Sequence, residues 1–276
     1  MRPARFRLAA GAAVLAALVP AVLAAASLTP GGISPDIEVP GDRITQNVRH
    51  APFVSLPRAR FQHDPAGILR GAPIHGMILE GPTDSPSLDI PDFPRLKKIG
   101  VNTLMIYIYA YADNATSNNV RITLATQSDA ELSNLANLAH LNGFAVQFSP
   151  IVWIDNPHIW RGDMKPTDKP AFFRSYTAMV THYAQLAQKL DVELFAIGSE
   201  MNSLQGYDTQ WRAVASAVNR IYHGLTTYMS TANAGFTLTW WSAVDLISVS
   251  PYYSLTNKMN PTETELYTVW MNSIMP

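Results

Sequence analysis

The sequence predicts an α/β protein of the (β/α)8 TIM-barrel type, incomplete, with about six strand–helix units present. Three observations carry this expectation. From Ile74 onward, short apolar runs alternate with helical patterns. The runs read as buried on both faces, as strands of a parallel sheet covered by helices do. Gly76 and Gly81 do not build the GxGxxG turn that an open doubly wound nucleotide-binding sheet carries after its first strand. A complete barrel takes roughly 250 residues. The stretch from Ile74 to Pro276 supplies about four-fifths of that, so length and unit count agree that two units are absent.

The first strand is Ile74 to Glu80, closed by Gly81-Pro82, and a helix from Phe93 to Ile99 follows, with Gly100 as its C-cap. Thr103 to Tyr109 is a second strand, rich in β-branched and aromatic residues. Ser128 and Glu131 form a capping box for a helix that carries Leu132, Leu135, Leu138 and Leu141 at helical spacing and stops at Gly143. The third strand, Phe144 to Trp153, comes directly after. A long helix from Ala171 to Leu190, apolar on one face, leads into the fourth strand, Glu193 to Gly198. A helix from about Thr209 to Tyr222 closes at Gly224 and is followed by a fifth strand, Leu225 to Ala232. The sixth strand is Leu246 to Ser250, and Thr262 to Ile274 reads as the last helix.

Two segments precede the barrel. Arg2, Arg5 and Arg7 stand before an apolar stretch from Leu8 to Ala26 that ends in small residues, so residues 1–26 read as a secretory signal peptide or an uncleaved signal anchor. Either way the chain is expected to be exported, secreted or periplasmic. Residues 27–73 are rich in Pro and Gly without a helical or strand period, and read as a linker or surface arm. Residues 74–276 are then the barrel domain. With a formal net charge of -1 and no Lys/Arg-rich run, the chain lacks the electrostatic footprint of a nucleic-acid binder. The absence of Cys excludes disulfides, a thiolate nucleophile and zinc–thiolate sites.

Glu200 is the leading candidate for chemistry. An apolar run that stops on Gly198 and then presents a carboxylate is where a parallel barrel strand delivers an acid to the active-site rim. There it could protonate a glycosidic oxygen. Aromatic residues gather after the strand ends: Trp153 and Trp160, Trp240 and Trp241, Tyr252 and Tyr253. Such flat faces cover the apolar faces of sugar rings. Glycoside hydrolysis needs a second carboxyl group. Glu80 and Asp155 also follow strands, yet neither sits where a nucleophile could attack in line from the opposite face, and Asp245 precedes a strand and is expected to cap or pair. His75 and His158 with Asp155 fit no metal motif, so neither metal nor cofactor is expected.

Ala196-Ile197-Gly198-Ser199-Glu200-Met201, Trp160-Arg161-Gly162-Asp163, Trp211-Arg212-Ala213-Val214 and Val244 to Tyr253 together resemble glycoside hydrolase family 113 over roughly Ile74 to Ser273. The resemblance implies a retaining β-mannanase on a (β/α)8 barrel, with its acid/base after strand four and its nucleophile after strand seven. By the same resemblance Glu200 takes the acid/base role, and Tyr253 lies beside the nucleophile. Trp153, Trp160, Arg161, Asn233, Trp240 and Trp241 line sugar subsites, with Glu80 and Asn202 as polar contacts. Two positions depart from the pattern. Ser199 stands where many relatives have Asn, and the Glu after strand seven has no counterpart, since the chain reaches Pro276 first.

The resulting expectation is an exported glycoside hydrolase acting on a β-linked, mannan-type polysaccharide by double displacement, inactive as a truncated chain. A non-catalytic carbohydrate-binding protein on a degenerate barrel is the alternative. A third possibility is a fragment that does not fold stably, because an open barrel exposes two sheet edges. The expected partner is an oligosaccharide or polysaccharide, with the protein a monomer that touches membrane only through an uncleaved N-terminal segment.

Overall fold

The computed structural model describes residues 64–79, 90–156, 158–235 and 237–274. Six strands form one parallel sheet in the order β1 to β6, curled into part of a barrel with helices on its outer face. The strands are β1 (Gly76–Leu79), β2 (Thr103–Ala112), β3 (Ala145–Ile154), β4 (Leu194–Ser199), β5 (Leu225–Thr231) and β6 (Leu246–Ser250). The helices are α1 (Phe93–Lys98), α2 (Asp129–Leu141), α3 (Lys169–Lys189), α4 (Asp208–Asn219), the short turn α5 (Ala232–Gly235) and α6 (Glu263–Val269), which runs into a π-helical turn at Trp270–Ile274.

Local chemistry starts several of these helices. The Asp92 side chain accepts from Arg95 N–H at 3.1 Å, and that of Asp168 from Ala171 N–H at 2.9 Å, each satisfying a donor that the first turn leaves free. Ser128 with Glu131, and Thr262 with Glu265, close reciprocal capping boxes. The chain then alternates its side chains across the sheet. On β2, Leu104, Ile106, Ile108, Ala110 and Ala112 pack outward into the main helix-covered core, while Met105 and Tyr107 join Ala196 and Met229 inside. The outer layer is aromatic: Trp211 of α4 stacks on Trp240 with centroids 5.2 Å apart and meets Tyr176 of α3 and Tyr228 of β5 edge-on.

The bottom of the curl is closed by residues read from sequence as part of a surface arm. Ile68, only 1% exposed, packs with Ala145, Leu194, Leu225 and Leu246 at the N-terminal ends of four strands, assisted by Ala66, Leu69, Ala72 and Ile74. The segment from Asp64 therefore belongs to the barrel, because the strand starts offer it apolar surface to bury. Asp245 lies at the same end, where its carboxylate accepts from the Thr226 N–H at 2.8 Å and the Thr226 hydroxyl at 2.9 Å, tying β6 to β5. The two outer strands, β1 and β6, are the least covered, and α6 buries none of its residues.

Buried tyrosines give the fold an alkaline limit. The Tyr176 hydroxyl donates to the Ile197 carbonyl at 2.8 Å and that of Tyr222 to the Val192 carbonyl at 2.7 Å. Burial pushes the hydroxyls of Tyr176, Tyr222 and Tyr228 well above the ordinary tyrosine range. Their neutral form is favoured in the folded state, so this contribution is complete below the unfolded value near 10 and is lost as pH rises above it. Each hydroxyl is expected to remove about 1.4 kcal/mol of stability per pH unit above that point. Urea midpoints measured between pH 8 and 11 should fall steeply only in the upper part of that range.

Candidate active site

The rim at the C-terminal ends of the strands is organised around the end of β4. Its pairing with β5 shifts register between Ala196 and Ser199. Gly198 is needed here, since a Cβ would meet the Tyr176 hydroxyl at 2.8 Å and the rings of Trp211 and Tyr228 at 3.0 Å. Glu200 follows with φ 48°, in the left-handed region that L residues avoid at a cost of about 1–2 kcal/mol. Two contacts hold it there: its own N–H donates to the Met229 carbonyl at 2.7 Å, and the next N–H, of Met201, donates to the Tyr228 hydroxyl at 2.9 Å. Strain maintained in this way at a strand end is a mark of functional sites.

The Glu200 residue is 7% exposed, and its carboxylate has a charged partner. Arg161, on the 3-10 turn Arg161–Asp163 after β3, donates from Nη2 to Glu200 Oε2 at 2.7 Å and from Nε to the Ser199 carbonyl at 3.2 Å. The turn is fastened in turn to the segment after Glu200, because the Ser203 hydroxyl donates to the Met164 carbonyl. Trp160 opens it, 39% exposed, with its ring folded over Gly162, where a Cβ would lie 2.1 Å from the ring. Arg161 was expected to line a sugar subsite; in the structure its guanidinium is directed at the Glu200 carboxylate.

The other expected residues divide. Trp153 sits on the inner face of β3, edge-on to Tyr109 at 5.7 Å, and belongs to an aromatic wall with Tyr107, Tyr109 and Tyr111 of β2. The three tyrosines were not singled out from sequence, although their spacing of two on a strand places them on one face. Asn202 follows Glu200 and donates from Nδ2 to the Thr231 hydroxyl at 2.9 Å, joining the ends of β4 and β5. Tyr253 lies beyond β6 at the same end of the sheet, 39% exposed, next to the more open Tyr252. Glu80 lies outside the described residues. Asn233 is in α5, and its side chain is outside the described part of the structure.

Trp240 and Trp241 are corrections. Trp240 is fully buried, stacked on Trp211, with its Nε1 donating to the Gln205 carbonyl at 2.9 Å. Trp241 is nearly so, and its Nε1 donates to the Gly235 carbonyl at 2.9 Å. With no exposed surface, Trp240 packs the helical layer and offers no platform to a sugar. Asp155, weighed as a second carboxylate, is ion-paired: Arg121 Nη2 donates to it at 3.0 Å and also to Asp113, binding the loop after β2 to the end of β3. His75 precedes β1 and His158 follows β3, so the parallel sheet places them at opposite ends.

Chemically, the described part of the rim combines the Glu200 carboxylate, a guanidinium in contact with it, and aromatic faces from β2, β3 and the turn at Trp160. The profile of Glycoside Hydrolase Family 113 matches residues 90–273. Similar solved structures include a β-1,4-mannanase of that family, at 27% identity and TM-score 0.57, covering 60% of this chain and 57% of that one. A second, the complex structure of a β-1,4-mannanase of the family, is 26% identical with TM-score 0.57, covering 65% and 60%. A third, the family's β-mannanase from Alicyclobacillus acidocaldarius, is 28% identical with TM-score 0.56, covering 59% and 55%. The chain thus spans less than two thirds of the length of each. No curated protein matches the sequence.

Proposed function

Because the chain belongs to glycoside hydrolase family 113, we propose that it carries the acid/base half of a retaining hydrolysis of a β-linked, mannan-type polysaccharide, with Glu200 as proton donor. The observation that supports this most is the placement of Glu200. It is a nearly buried carboxylate at the C-terminal end of a parallel strand, held in a strained backbone conformation and facing the rim. In the first step its proton passes to the glycosidic oxygen as the bond to the anomeric carbon breaks; in the second, the carboxylate takes a proton from the attacking water.

The polysaccharide itself is proposed from the β-mannanases this chain resembles, together with the aromatic faces of Trp153 and Trp160 as ring platforms. Tyr253 would stand near the nucleophile. After β6 the sequence contains only two carboxylates, Glu263 and Glu265, and both lie on α6. The nucleophile is therefore proposed to come from outside these 276 residues, and the leader to direct the protein out of the cytoplasm.

The test is reducing-sugar release from β-1,4-mannan by the 276-residue chain and by the same chain joined to strands seven and eight of a solved relative. Activity is expected only in the joined protein. Release by the shorter chain at the rate of a full-length relative would overturn this division of the catalytic pair.

A further inference from the structure

Glu200 keeps its direction only while its backbone stays in the left-handed region, at φ 48°. Its own N–H is fixed on the Met229 carbonyl at 2.7 Å, but that bond leaves rotation about the N–Cα bond open, and such a rotation would swing the side chain away. An anchor on the far side of the residue stops it. The next N–H, of the buried Met201, donates to the Tyr228 hydroxyl at 2.9 Å, where no solvent competes for the donor.

Tyr228 meets the same segment at two further points. Its ring lies against Gly198, where a Cβ would come within 3.0 Å of it, and its hydroxyl accepts from Gln205 Nε2 at 3.1 Å. The buried Gln205 amide also donates to the Ser230 hydroxyl at 2.9 Å, so the tyrosine hydroxyl is itself held in place. The ring is wedged between Trp211 and Trp240, with centroids 5.1 and 5.0 Å away. Residues 198–205 are thus fastened at three points to one buried side chain of β5.

We propose that Tyr228 is the positioning residue of the acid/base: its hydroxyl fixes the peptide after Glu200 and so aims the carboxylate at the glycosidic oxygen. This rests on the reading of Glu200 as proton donor. With no exposed surface, Tyr228 acts through the backbone and not on the sugar. A hydroxyl that served packing alone would, when removed, lower stability and leave the chemistry of the folded protein unchanged. One that aims the proton donor lowers the rate with substrate binding retained, since a misplacement of about 1 Å can cost about 100-fold.

The test compares Tyr228→Phe with Tyr222→Phe, which removes a buried hydroxyl at the other end of β4, bonded to the Val192 carbonyl at 2.7 Å. In the joined protein, Tyr228→Phe is expected to lower kcat on β-1,4-mannan by about 10- to 100-fold with KM near that of wild type, and Tyr222→Phe to leave both in place. In the 276-residue chain, hydrogen exchange at the Met201 amide should accelerate at least about tenfold beyond that of the β4 and β5 amides in Tyr228→Phe alone. Equal kcat values in the two variants overturn the proposal, as does a raised KM with kcat unchanged, or a Met201 amide that exchanges no faster than its neighbours. Should Tyr228→Phe fail to fold, the wild-type 276-residue chain decides: a Met201 amide protected as strongly as those of β4 supports the tether, and one that exchanges like an exposed loop amide overturns it. The reading of Glu200 fails separately, if Glu200→Gln in the joined protein keeps full activity while the Met201 amide responds as expected.

Discussion

Trp240→Ala is expected to lower the stability of the chain by about 3–5 kcal/mol, with no change in the affinity of the folded protein for manno-oligosaccharides. Truncation removes a ring with no exposed surface, stacked at 5.2 Å and 9° on Trp211 and edge-on at 5.0 Å to Tyr228. It also leaves the buried Gln205 carbonyl without the indole N–H that donates to it at 2.9 Å. The cavity would lie against the ring of Tyr228, while the backbone contacts that hold Glu200 remain in place. Urea unfolding reads the stability, and calorimetric titration reads the sugar. A variant of near wild-type stability that loses sugar affinity would return Trp240 to the binding surface.

Glu200→Gln should reduce mannan hydrolysis by the joined protein by about 100- to 10,000-fold, the range that a positioned acid/base contributes. The amide keeps the shape and can still meet Arg161, so folding should be preserved while proton transfer is lost. A substrate with a leaving group that needs no protonation should recover much of the first step. Because the second step also uses Glu200 as a base, such a substrate should show a burst followed by slow turnover. Equal losses on activated and natural substrates, or no loss at all, would assign Glu200 a structural role at the end of β4.

Much of the architecture was legible in the sequence because its signals are local. The capping box at Ser128 and Glu131, the leucine period that follows it, and the glycines at 100 and 143, both at positive φ, act over a few residues and need no distant partner. Strand limits were less legible. The second strand was expected to stop at Tyr109, yet β2 continues to Ala112, because Ala110, Tyr111 and Ala112 pair with Val152, Trp153 and Ile154 of β3. Nothing within 103–112 records that β3 is long enough to hold them. The same holds for Ile68, in a Pro/Gly-rich stretch with no period of its own, whose burial depends on four strand starts up to 178 positions away.

At the site, the sequence by itself determined that Glu200 would stand at a strand end on the rim, since an apolar run closed by Gly198 in a repeating strand–helix pattern specifies both position and direction. Only the tertiary structure decided what surrounds it. Trp160 and Trp240 are alike as text, each aromatic and each after a strand, but one ring is open to solvent and the other is sealed against Trp211. Arg161 is 39 residues from Glu200 along the chain and 2.7 Å from it in space. Periodicity and capping are encoded by neighbours in sequence; the direction of a side chain at the rim depends on which apolar surface or opposite charge the folded chain brings beside it.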